Sequence, residues 1–172
     1  MTAKFCLIAA VSLLAGSASA AGTGPTDPQI AHIAYTAGTI DIEAAKLALE
    51  KSKSKAVREF ASEMVRDHEA VNEKALALVK KLNVTPEQNA TSEGLTKQAA
   101  ATKAKLAKLH GKAFDRAYAA NEAAYHKTVN GALKSTLIPS ADNGELKSLL
   151  ETGLTLFSAH QKHAEHLSAS LR

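Results

Sequence analysis

Two histidines occupy positions where a helix ordinarily buries leucine. His68 lies on the stripe of Val57, Phe60, Met64, Val71, Ala75, Leu78 and Leu82, and His160 on that of Leu146, Leu149, Leu150, Gly153, Phe157, Ala164, Leu167 and Leu171. A third, His126, flanks another stripe, about 100° round the helix from Phe114 and Tyr118. An imidazole removed from water needs a partner: a backbone carbonyl, a carboxylate or a metal ion. One such residue alone reads as a satisfied core group, whereas two on separate helices point to a shared polar site.

Carboxylates accompany these rings. Glu122 stands one turn before His126, a pair that can reach one ion or merely stabilise an exposed helix. Asp41 and Glu43 flank the first apolar stripe from opposite sides, each about 80° from its centre. Imidazole and carboxylate together suit first-row transition ions. The Glu-x-x-His pattern of di-iron carboxylate bundles is missing, because Val65, Ala123 and Phe157 stand three residues before the three histidines. A site drawn from Asp41, Glu43, His68, Glu122, His126 and His160 therefore favours copper, zinc or a single iron, and no reaction is specified. His163 sits at a stripe edge and can join such a site. His32, His110 and His166 read as surface residues, and Asp67, about 100° from His68, as a salt-bridge or surface group.

The elements that must position these groups are helices. Met1 to Ala20 reads as an export signal: Lys4, an apolar run from Phe5 to Ala15, and a small-residue end Ala18-Ser19-Ala20. That run is shorter than the roughly 20 residues a membrane span needs. Residues 21–27 form a tether rich in small residues, and residues 28–171 one helical domain, with Asp27 as cap and Pro28 in the first turn. Ile30, Ile33, Ala37, Ile40, Ala44 and Leu47 mark the first helix, which ends in Lys51 to Lys55. The second runs from Val57 to near Asn83, a residue that tolerates a left-handed end. A weakly amphipathic piece from Glu93 to Leu109 ends before Gly111; Lys112 to Ser135 forms the next long helix. The last starts at a cap supplied by Asp142 with Glu145, or by Ser140. The expected fold is all-α, an antiparallel four-helix bundle with an accessory helix before the third long one. On the first hairpin Asp41 and His68 fall within about three residues of one level. A turn just after Ile138 would offset His126 from His160 by about 15 Å, too far for one ion.

Composition narrows the partners. The only cysteine, Cys6, lies in the export segment, so the mature chain has no internal disulfide and depends on packing. Without Lys4 the charge falls from +4 to +3, a mixed surface. There is no Trp and no basic block interleaved with aromatics, which speaks against nucleic acid.

The string FASEMVRDH (Phe60 to His68), the segment GKAFDRAY (Gly111 to Tyr118) with His126 eight residues on, and His160 followed by Ala164 resemble the exported bacterial proteins of the domain of unknown function 4142 family. The resemblance spans about Ile30 to Leu167. It implies a ferritin-like fold, a location in the cell envelope and an unassigned metal role, without ferroxidase activity. That family commonly has Glu where this chain has Asp41. Two functions follow as expectations: a periplasmic or secreted metal-binding bundle, or a structural module that binds an envelope partner or a second copy, its inward histidines satisfied within the core.

Overall fold

The computed structural model describes residues 24–172, so the expected export segment and most of the tether lie outside the described residues. Among those described there is no strand, and none of the helices is long and apolar enough to cross a membrane. The long helices are α1 (Asp27–Lys51), α2 (Lys55–Lys81), α4 (Gly111–Ala132) and α6 (Gly144–Ser170), with α3 (Ala90–Ala107) between α2 and α4. A π-helical turn, Leu133–Leu137, and the short α5 (Ile138–Ser140) carry α4 onward toward α6.

Local chemistry explains the ends. Thr26 precedes α1, so Asp27 is a helical residue and not the cap; its carboxylate accepts from the backbone N–H groups of Asp142 (3.0 Å) and Asn143 (2.9 Å). This ties the start of α1 to the α5–α6 turn. Asn83 (φ 53°) closes α2 in the left-handed conformation expected of it, and Gly111 takes the same φ between α3 and α4. The cap of α6 is Asn143, which accepts from the N–H groups of Glu145 and Leu146; neither Asp142 nor Ser140 fills that place. An Asn side chain here satisfies two of the amides that a helix start leaves free.

Each long helix touches two others: α1 meets α2 and α4, and α6 meets α4 and α2, while α3 lies against α1. The core has two apolar halves. One, around Phe60, Met64, Phe114 and Tyr118, fills the end near the α1–α2 turn; the other, around Ile30, Leu133, Leu146 and Leu150, fills the opposite end. Polar residues are buried between them.

Candidate metal centre

Four helices deliver five side chains to that middle layer: Asp41 from α1, His68 from α2, Glu122 and His126 from α4, and His160 from α6. None is more than 3% exposed. The three imidazoles form a nearly equilateral triangle, with ring centroids 5.7 Å (His68–His126), 5.4 Å (His68–His160) and 5.5 Å (His126–His160) apart. One nitrogen from each lies within 4.8 Å of the other two. Asp41 Oδ2 sits 3.6 Å from His68 Nε2 and 3.5 Å from His126 Nε2, and Glu122 Oε2 is 3.9 Å from His126 Nδ1. Phe157 stacks on His68 at 4.5 Å and fixes the plane of that ring.

Hydrogen bonds set which nitrogens are free. His126 Nδ1 lies 3.0 Å from the Glu122 carbonyl, which can only accept, so the proton is on Nδ1 and the Nε2 lone pair is left over. His160 Nε2 lies 3.0 Å from Asp67 Oδ2. The Arg66 guanidinium bonded to Asp67 keeps that carboxyl below its usual range and ionised, so His160 donates from Nε2 and its Nδ1 lone pair is free. Both spare nitrogens lack a partner, as do both nitrogens of His68, both oxygens of Asp41 and Oε2 of Glu122. Each such buried atom costs about 1–3 kcal/mol when left unpaired, a cost that a coordinated ion would remove. Burial drives His68 down to about 3 and His126 to about 4, so both rings are neutral at neutral pH, as a metal ligand must be. Burial raises Asp41 to about 7 and Glu122 well above the carboxylate range, the neighbouring Asp41 charge adding to the shift of Glu122.

Residues 12–167 match the family described as Domain of unknown function (DUF4142). The chain belongs to that family. No curated protein matches it significantly. Among solved structures, one titled "CopM in the Cu(II)-bound form" is similar in fold, with a TM-score of 0.66 at 16% identity, covering 87% of this chain and 99% of that one.

In this DUF4142 chain five of the six sequence-selected residues converge, and the geometry corrects how. Asp41 is not at a flank: the buried positions of α1 are Ile30, Ala31, Ile33, Ala37, Gly38, Asp41, Ile42, Ala45 and Ala48, so Asp41 lies within the buried stripe. Strict alternation of three and four had pointed to Ile40, Ala44 and Leu47, but an α-helix turns every 3.6 residues and the stripe advances by fours here. Glu43 is half exposed and pairs with Lys103 of α3 at 3.0 Å, away from the cluster. The expected offset between His126 and His160 is absent because the π turn and α5 move the reversal to Ala141–Asn143. His126 then lies sixteen residues before Asp142 and His160 eighteen after it, which brings them level. Asp67, read as a surface group, also holds His160; its place beside His68 in sequence gave no sign of this, since the two side chains diverge. His163 bonds Glu63 (2.8 Å) at the surface outside the triangle.

Cavities flank the layer on both sides. One of about 750 Å³, lined mainly by apolar chains such as Val71, Leu78, Val129 and Leu150, reaches His68, His126 and Asp41. Another of about 580 Å³ lies under α3 and reaches Asp41 and Glu122, with Glu43 in its wall.

Proposed function

We propose that this protein is an exported, antiparallel four-helix bundle of ferritin-like type that binds one transition metal ion in its core. His68, His126 and His160 are the ligands, and Asp41 is the adjacent carboxylate that offsets the ion's charge. Copper is the first choice, zinc and iron the next, because neutral imidazoles suit these ions and copper heads the affinity order of the divalent series. The observation that carries this reading is a buried triangle of three imidazoles, each with an unpaired nitrogen, in which one nitrogen of each ring lies within 4.8 Å of the other two. A chain of similar fold that holds Cu(II) supports the choice of ion. The bound ion would be held and kept from water; no residue here is assigned a catalytic step. Retention of copper by a periplasmic or secreted protein is the process this serves.

The rival reading is a partner-binding module whose inward histidines are satisfied core groups. It fits His126 Nδ1 and His160 Nε2, but His68 has no hydrogen-bond partner at either nitrogen. Elemental analysis and titration calorimetry of the tag-free mature chain test the proposal: one equivalent of tightly held copper, zinc or iron is expected. Absence of tight binding by all three would leave the module reading in its place.

A further inference from the structure

We propose that Asp41, Glu122 and His126 form a second ion position, suited to a divalent ion that prefers oxygen donors such as Mn(II), and that it is filled in alternation with the three-imidazole position. It deepens the metal-binding reading and rests on it only in sharing His126 and Asp41.

One donor atom from each of these three residues lies within 4.8 Å of the other two, the same closeness the imidazole triangle shows. All three side chains are buried to 1% exposure. Apart from each other, Asp41 and Glu122 Oε2 have no hydrogen-bond partner among the described residues, and the Asn121 amide bonds only the other Glu122 oxygen, Oε1, at 3.1 Å. The two carboxyl groups lie within hydrogen-bond reach of one another, so that one proton can be shared between them, and no Lys or Arg among the described residues pairs with either. Ionised, they would neutralise a divalent ion in an interior where uncompensated charge is costly; three neutral imidazoles cannot do so. Donor chemistry points the same way, since carboxylate-rich sets suit manganese while imidazole suits copper.

Alternation follows from His126. Its Nδ1 is bonded to the Glu122 carbonyl and is the nitrogen 3.9 Å from Glu122 Oε2, so the one free lone pair is on Nε2, 3.5 Å from Asp41 Oδ2, and one lone pair serves one ion. The two positions share the apolar cavity through Asp41 and His126, and differ in that Glu122 opens to the cavity under α3 alone. Glu122 and Asp41 line the cavity under α3, a largely apolar space in which Glu43, Thr39 and Asn121 supply polar groups along the way to Glu122. His68 instead lines the apolar cavity on the other side.

The experiment is a Mn(II) titration of the full mature chain followed by electron paramagnetic resonance, in which bound manganese loses the six-line signal of the free ion. One equivalent of bound Mn(II) is expected. Glu122→Gln should weaken manganese by about 100-fold or more, beyond the loss of an outer-shell partner, and leave copper binding unchanged. His68→Leu should do the reverse, and saturating copper should release the manganese one for one. Circular dichroism melts of both variants establish that they fold. Manganese failing to bind the folded wild type, Glu122→Gln weakening both ions equally, or both ions bound together would each overturn the proposal. Manganese bound without any copper would sink the three-imidazole reading and overturn the alternation with it, leaving only the Asp41–Glu122–His126 position.

Discussion

His68 is the residue on which the imidazole triangle turns, because it is buried with both nitrogens unpaired. Its folded pKa is about 3 against 6.5 for a free imidazole, with burial the main cause and the nearby His126 and His160 adding to it. Between these values the unfolded chain carries a proton that the folded chain does not. His68 therefore costs the metal-free protein stability as pH falls from about 6.5 toward 3. Asp41, raised to about 7 from 3.8, acts in the opposite sense and costs stability as pH rises through that window, so the two slopes partly cancel in the wild type. His68→Leu should leave the metal-free protein as stable at pH 7 or more so. It should also make stability less sensitive to acid by about 1.4 kcal/mol per pH unit between about pH 6 and 4, measured by urea unfolding. Asp67→Asn tests orientation at the same scale. An amide can present its NH₂ to His160 Nε2 and favour the proton on Nδ1, which would block the ligand lone pair; copper affinity should drop about 10–100-fold with little change in melting temperature.

At the scale of the element, the α5–α6 turn decides whether His126 and His160 share a level. Asn143 caps α6, and Asp27 binds the amides of Asp142 and Asn143, so the reversal is held from two directions. Asn143→Ala should cost about 1 kcal/mol by chemical denaturation, whereas Asp142→Ala, whose side chain is exposed, should cost nearly nothing. The reverse ranking would mean the cap is Asp142 after all. The helices themselves were legible in the apolar stripes, and the end of α2 in Asn83. The π turn was not, because it inserts a residue into a sequence, Leu133-Lys134-Ser135-Thr136-Leu137, that has no breaker before Pro139.

For the whole molecule, the ion layer sits between two apolar halves, so filling it should stabilise the fold globally. Copper at about 100 times its dissociation constant should add about 2.7 kcal/mol, a rise in melting temperature of roughly 5–11 °C for a chain of this size, seen by differential scanning calorimetry and lost in His160→Leu. Sequence alone determined that the chain is helical and that imidazoles lie where apolar residues belong, since both follow from the local 3.6-residue period. Which groups meet was decided by tertiary structure. A one-residue misjudgement of a stripe's centre rotates a side chain by about 100°, and each residue of error in a turn shifts facing levels by about 3 Å, lengthening one helix as it shortens the other. Asp41 moved to the centre of the core and His160 came level with His126 for these reasons, which local periodicity does not contain.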